Sequence, residues 1–368
     1  MKIKGLNLYI ILFLLCSLSS RASFVLLPME AEGQQNHLKA YGITYWALDK
    51  SYKVSWLLNY RGGSFLLPDA PEIRKECQIR GVTFEVLSDA ATNSILEDIS
   101  SPSQNMETVV LEKAPKIAVY TPKGKQPWDD AVTMVLTYAE IPYTEIYDEE
   151  VLSDQLLLYD WLHLHHEDFT GQYGKFFGNY RSTPWYIQQK ADAEALAKKL
   201  GYNKVSEEKL AVAKKIRDFV IGGGFMFAMC SATDSFDIAL SAEGVDICEP
   251  MFDGDDSDAN YQTRIDYSNT FAFKDYTLVR NPMVYEFSDI DTTEQHGKGA
   301  FSMDKDYFTL MEYSAKWDPI PTMLCQNHTQ LVKGFMGQTT AFDAEKIKSN
   351  VLVMGECKID RKSTRLNS

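Results

Sequence analysis

Cys230 is the residue best placed for covalent chemistry. It stands in the run Phe225-Met226-Phe227-Ala228-Met229-Cys230-Ser231-Ala232-Thr233-Asp234, which reads as an apolar strand, an abrupt turn and a helix start. Ala228 and Ala232 lie two positions to either side of it. A nucleophile on such a bend needs small neighbours, because backbone and adjacent strands approach closely there. The following helix would aim free N–H groups at the sulfur, favouring thiolate and lowering the thiol pKa. The N–H of Ser231 would serve as an oxyanion donor. The competing reading is a buried cysteine at a strand end, since free cysteine is among the most buried residue types.

A second cluster is Leu162-His163-Leu164-His165-His166-Glu167-Asp168. Strand alternation puts His163 and His165 on one face. Imidazole and carboxylate side by side suit a base for a thiol, and His165, His166 and Glu167 are the candidates. A metal set of His163, His165, His166 and Glu167 is the weaker alternative. Hydrogen-bonded polar residues at a strand end are the third reading. His328, in Gln326-Asn327-His328-Thr329-Gln330, is a further histidine that could turn toward the site. No cofactor is expected. The oxygen-rich Asp253-Gly254-Asp255-Asp256-Ser257-Asp258 lacks the glycine and closing glutamate positions of an EF-hand and reads as a solvated acidic loop. Tyr60-Arg61-Gly62-Gly63-Ser64 reads as a hairpin turn in preference to an anion site.

These residues need a scaffold. Apolar spacing predicts a helix over 37–49, strands at 54–58 and 64–67, a helix over 70–80 and a strand at 82–87. The polar stretch 100–107, with Pro102, is the best internal boundary by composition. Lys116 to Tyr120 reads as a buried strand, Trp128 to Glu140 as a helix, Thr144 to Tyr147 as a strand and Leu156 to Leu164 as another. Residues 171–205 read as an insertion with a helix near 191–200. Glu207 to Ile221 is an amphipathic helix, with Leu210, Ala213, Ile216 and Val220 along one face and Ser206 as its cap. The order β-α-β-β with crossover helices predicts an α/β fold with a mainly parallel sheet.

The chain has 368 residues, with 45% hydrophobic and 24% charged, a globular composition. Lys plus Arg number 37 against 51 for Asp plus Glu, a net charge of −14 that argues against a nucleic-acid partner. Residues 1–22 read as a secretory signal: Lys2 and Lys4, an apolar run too short to span a bilayer, then Ser20-Arg21-Ala22 for cleavage. Anchoring as a lipoprotein through Cys16 is less favoured, because Leu15 is bulkier than a lipobox expects. An exported, periplasmic protein without a transmembrane span is expected, acting on a small-molecule or envelope-derived substrate. Five cysteines follow the signal, without a CxxC pair, so neither a disulfide framework nor that kind of zinc site is expected. Residues 360–368 read as a non-native tail on a truncated C-terminus. The expected segments are therefore 1–22, 23–113 as a smaller α/β segment, 114–359 as the main domain, and 360–368.

The elbow Ala228-Met229-Cys230-Ser231-Ala232 resembles that of the class I glutamine amidotransferase-like superfamily, over roughly residues 114–358. The resemblance implies a flavodoxin-like sandwich with helices on both faces and the active edge at the strand C-termini. It also implies that the loop holding His165, His166, Glu167 and Asp168 borders Cys230. More closely, Tyr120-Thr121-Pro122-Lys123-Gly124-Lys125-Gln126-Pro127-Trp128-Asp129-Asp130, His163 to Asp168 and Gln326 to Gln330 resemble an exported family of Bacteroidetes-type bacteria commonly labelled "asparagine synthetase B". The motifs of that label, an N-terminal cysteine nucleophile and a Ser-Gly-Gly-x-Asp-Ser loop, are not in this sequence. The expected activity is a cysteine-dependent amidase or hydrolase. The alternative is a binding or scaffold protein of the envelope on the same fold, and a His/carboxylate metal-dependent hydrolase is the third option.

Overall fold

The computed structural model describes residues 23–122, 130–292, 307–310, 314–317, 326, 328–329, 331–333, 342–353 and 355–358. The signal-like leader, the segment 123–129 and the terminal 360–368 lie outside the described residues. The chain forms two compact units. The first comprises residues up to Ala114 with Tyr313–Thr329, and the second Pro115–Glu312 with Gln330 onward.

The first unit is built on an antiparallel sheet of β1 (Ser23–Leu27), β2 (Val54–Leu58), β3 (Ser64–Pro68), β4 (Glu85–Ser88) and β5 (Glu107–Leu111), in the order β4-β1-β3-β2-β5. Helix α1 (His37–Asp49) begins at Asn36, whose side chain accepts from the Lys39 N–H. Helix α2 (Pro71–Arg80) opens on proline and ends at Gly81, whose φ of 64° closes it in the left-handed form. Val25, Leu27, Ile43, Ala47, Val54, Phe65, Leu67 and Ile73 share one core beneath these helices. Helix α3 (Asp89–Ser100) and β5 flank the stretch 100–107 that composition marks as a boundary. Strand β5 pairs with β2 along its whole length, so the polar stretch at 101–106 is a connection inside the unit.

The second unit carries the parallel sheet: β6 (Ile117–Tyr120), β7 (Tyr143–Ile146), β8 (Trp161–Leu164) and β9 (Phe225–Ala228), in the order β7-β6-β8-β9 with every pair parallel. Helix α4 (Asp130–Ala139) links β6 to β7, and α5 (Asp148–Leu152) follows β7. Helices α6 (Pro184–Lys199) and α7 (Val205–Ile221) lie between β8 and β9, and α8 (Ala232–Ser241) follows β9. One face of the sheet, with Ala118, Tyr120, Leu162 and Leu164, packs on Val212, Ala213 and Ile216 of α7 and on Ala232, Phe236 and Leu240 of α8. On the other face Trp161 meets Phe225 edge-on and His163 stacks on Phe227 at 5.3 Å, each a cross-strand pair. A small antiparallel sheet, β11-β10-β12, is made of β10 (Tyr307–Leu310), β11 (Leu331–Lys333) and β12 (Gly355–Lys358).

Three local expectations change. The predicted strand 156–164 is a 3-10 turn at Gln155–Leu158 and then the shorter β8. Helix α7 starts two residues before Glu207 and is capped at Lys204, not Ser206: the Glu207 carboxylate accepts from the Lys204 N–H at 3.3 Å. Its buried face is Val205, Glu208, Lys209, Val212, Ala213, Ile216 and Phe219, rotated from the face expected. No helix among the described residues is long and apolar enough to cross a membrane.

Candidate functional site

Strand β9 ends at Ala228 and α8 begins at Ala232, leaving a three-residue bend. Cys230 sits on it with φ of 52°, in the left-handed region that a β-carbon disfavours. The bend is held from both sides. Met229 N–H donates to Leu164 O at 3.0 Å and continues the β8–β9 pairing, while Ala232 N–H donates to Met229 O at 3.1 Å. Thr233 then donates its hydroxyl to Cys230 O at 2.7 Å. Ala232 is wholly buried in the core under the sheet, which explains a small residue there. Cys230 itself is exposed, whereas Cys77 and Cys248 are buried, and all three are free thiols.

The loop leaving β8 lies against this bend. Ser231 donates its hydroxyl to His166 O at 2.6 Å, and Ser235 donates to Glu167 O at 3.0 Å. Glu167 turns back on its own loop and accepts the His165 N–H at 2.7 Å. The rings of His165 and His166 stack with centroids 3.5 Å apart. Cys230, Ser231, His165, His166 and Glu167 are thus brought to one edge of the sheet. His163 lies one turn of the pleat further back, on the face with Phe227.

Electrostatics at this edge differ from the helix-end expectation. Desolvation pushes the Cys230 thiol up, even though the residue is exposed overall. The Ser231 backbone N–H pulls it down, and the carboxylates of Asp234 and Glu167 push it up again. Burial pushes His165 and His163 down to about 4, so both rings are neutral at physiological pH. His165 Nδ1 and His163 Nε2 are buried without a hydrogen-bond partner. Asp234, in the first turn of α8, is pushed up to about 7 by burial. A carboxyl that titrates near neutrality beside a thiol is suited to acid–base work, and the sequence assigned it no role.

His328 belongs to the first unit. Its Nδ1 contacts Gly62 O at 2.8 Å and its Nε2 contacts Tyr41 Oη at 2.8 Å, with His37 stacked on the ring at 4.8 Å. A carbonyl only accepts, so Nδ1 carries the proton and Nε2 accepts from the tyrosine. Both nitrogens are used in fixing the Gly62 turn. In that turn Arg61 pairs with Glu30 and Glu85.

No three of His163, His165, His166 and Glu167 bring ligand atoms within 4.8 Å of one another; among the described residues only Asp246, Cys248 and Asp253 do. There the Lys204 ammonium already supplies the cation, 2.5 Å from Asp246, 3.1 Å from Asp253 and 2.6 Å from Asp255. The Cys248 thiol donates to Thr170 O at 3.2 Å and burial raises its pKa. The acidic 253–258 loop is thus tied down by Lys204, and by Arg264 at Asp258.

Beside the elbow a crevice of about 260 Å³ opens at the carboxyl ends of β6, β7 and β8, lined by Pro122, Tyr147, His166, Glu167, Tyr173 and Lys209 among others. Its floor is a buried network. Lys209 Nζ donates to Asp148 Oδ2 at 2.6 Å and to the hydroxyls of Tyr120 and Tyr147 at 3.1 Å each. Tyr120 donates to the other oxygen of Asp148. Lys209 is 5% exposed, Asp148 1% and Glu208 1%. Burial pushes Glu208 up to about 8, so it stays protonated beside this pair at neutral pH. Asp168 caps the loop that follows, accepting from Thr170 N–H at 2.7 Å and Gly174 N–H at 2.9 Å. Tyr173, Gly174 and Lys175 in that loop all have positive φ. Lys175 is buried and donates to Val279 O at 2.8 Å.

Comparison with known proteins finds no matching family model, no matching curated protein and no matching solved structure.

Proposed function

We propose that the second unit is a flavodoxin-like, class I glutamine amidotransferase-like domain, and that Cys230 is the nucleophile of an exported amidase or hydrolase. The observation that carries this reading is the φ of 52° at an exposed Cys230, on a strand-to-helix bend at the carboxyl edge of a parallel sheet. A non-glycine residue in that conformation is costly, and such strain gathers where side-chain aim matters. The sheet order β7-β6-β8-β9 is 2-1-3-4 in chain order, as in doubly wound sheets that bind ligands at this edge.

In this reading the neutral His165 imidazole accepts the thiol proton and the thiolate sulfur attacks a carbonyl carbon. The displaced π electrons become an oxyanion, which the Ser231 N–H stabilises. Collapse expels the amine, which takes the proton from the imidazolium. Water then cleaves the thioester and restores the thiol. Asp234, near its midpoint at neutral pH, is a second proton carrier.

The test is hydrolysis of a panel of small amides and esters, with mass mapping of the acyl adduct. Activity abolished in Cys230→Ala, with the adduct on Cys230, supports the reading; unchanged hydrolysis in that variant refutes it. The raised thiol pKa favours a second reading, a binding protein of the envelope on the same fold. That reading predicts ligand binding without any adduct.

A further inference from the structure

We propose that Phe176, Tyr180, Met283 and Tyr285 form a substrate subsite beside Cys230, and that the compounds acting there carry an aromatic ring within a few bonds of the carbonyl that the sulfur attacks. This names a substrate class for the hydrolase and rests on that reading. The subsite follows from the route of the chain. Strand β6 connects outward to β7 and β8 connects outward to β9, on opposite sides, so the two exits part and leave the crevice. The β8 exit carries His165 and His166 to the cysteine bend and then runs on to Phe176. His166 and Phe176 both line the crevice, so the candidate base and the first ring of the subsite share one loop.

A second segment backs that loop. Lys175 Nζ donates to Val279 O at 2.8 Å and to Asn281 O at 3.4 Å. A β-carbon on Gly178 would stand 3.0 Å from Met283 O, tighter than side-chain carbons normally sit, so glycine lets the short helix Phe177–Tyr180 close on Met283. Tyr285 then packs on Phe176 with ring centroids 5.8 Å apart, and Phe176 meets Tyr180 edge-on at 5.8 Å. Tyr180 and Tyr285 each keep 41% of their surface exposed and Met283 57%. Apolar side chains gathered in this way on a tied-down wall mark a contact surface. Two links set the wall beside the sulfur. Ser231, the neighbour of Cys230, is bonded to His166 O, and after burial the Cys230 charge is the strongest influence raising the Tyr285 phenol. The rings select the occupant: tilted and edge-on neighbours leave faces and edges for one more ring, a contact worth more than its area alone. Met283 adds a polarisable flank that adapts to it.

The test compares two alkylating probes on the full chain at mildly alkaline pH, N-phenethyl iodoacetamide and N-(2-hydroxyethyl) iodoacetamide. In each the Cys230 thiolate displaces iodide, and each rate is divided by that of a small model thiol to remove intrinsic reactivity. The phenethyl probe should label Cys230 about tenfold faster than the hydroxyethyl probe. Tyr285→Ala should bring that ratio to about twofold or less with little change in the hydroxyethyl rate, and Tyr285→Phe, which keeps the ring, should restore it. Tyr180→Ala, at a second exposed ring, should lower the ratio partway. A ratio near one in the parent, a faster hydroxyethyl probe, or a ratio untouched by both alanine variants would each overturn the proposal. Labelling needs only a thiol, so a ring preference in a protein that hydrolyses no amide or ester refutes the hydrolase reading alone. Hydrolysis of acetyl and phenylacetyl esters with equal kcat/KM refutes this proposal alone.

Discussion

The Lys209–Asp148 pair offers the sharpest energetic prediction. In Lys209→Met the Asp148 carboxylate, 1% exposed, loses the Lys209 ammonium and keeps the Tyr120 hydroxyl as a donor. Breaking one side of a buried pair typically costs about 3–5 kcal/mol, because the remaining charge stays desolvated. For a unit of this size that is a fall in Tm of roughly 6–20 °C. Asp148→Asn should cost a similar amount, because it strands a buried ammonium between two tyrosine hydroxyls. The double variant Asp148→Asn/Lys209→Met removes both charges and should cost less than the sum of the singles. The coupling should be at least about 1.5 kcal/mol, within the range for directly bonded neighbours. Scanning calorimetry of the full chain, read at the transition of the second unit, measures all four corners of the cycle. Strict additivity, or a single-variant loss under about 1 kcal/mol, would show that the pair does not bear on stability as argued.

Other outcomes are equally specific. Glu208 is raised to about 8, above its value in the unfolded chain, so the folded state holds a proton that the unfolded state releases. Stability should therefore fall as pH climbs from about 4.5 to 8, by at most about 1.4 kcal/mol per pH unit, and Glu208→Gln should flatten that slope in urea titrations run across the window. Cys230→Gly should be more stable than Cys230→Ala by about 1 kcal/mol, since only glycine accepts the left-handed bend without cost; equal stabilities would mean that the bend is unstrained in solution. Iodoacetamide should label Cys230 before Cys77 and Cys248, with a rate that rises steeply only at alkaline pH because the thiol is desolvated; mass mapping of the first adduct checks the order. Glu167→Gln should move that rate profile to lower pH, because one of the carboxylates that raise the thiol is gone.

The elements that carry the sheet were legible because they are short apolar runs bounded by turn residues. Ile117–Tyr120 could hardly be anything but a buried strand, and Phe225–Ala228 reads equally plainly as a strand, although it lies at the sheet's edge, half-buried and with Phe227 exposed. The cysteine bend was legible for the same reason, with small residues on both sides. Helix α3 and β5 were not, because Asp89–Ser100 has only Thr92 and Ile99 buried and Glu107–Leu111 alternates half-buried and exposed residues as an edge strand does. The Lys209 network escaped because charged residues on a helix usually mark its wet side. Yet Glu208 and Lys209 stand three and four positions after Val205, in register with Val212 and Ile216, and that spacing was the available signal. Asp234 stands in the run that forms the bend, but its burial is set by tertiary packing and leaves no local signal.

The parting of the chain after β6 and after β8 has a consequence for how this protein can change. A hollow excavated by side chains can be filled by a single enlarging substitution. One opened by the direction in which the backbone departs survives such exchanges, which alter only what it admits. Descendants of this scaffold would keep a vacancy at that edge while trading occupants, with the neighbouring cysteine bend gained or lost on its own schedule.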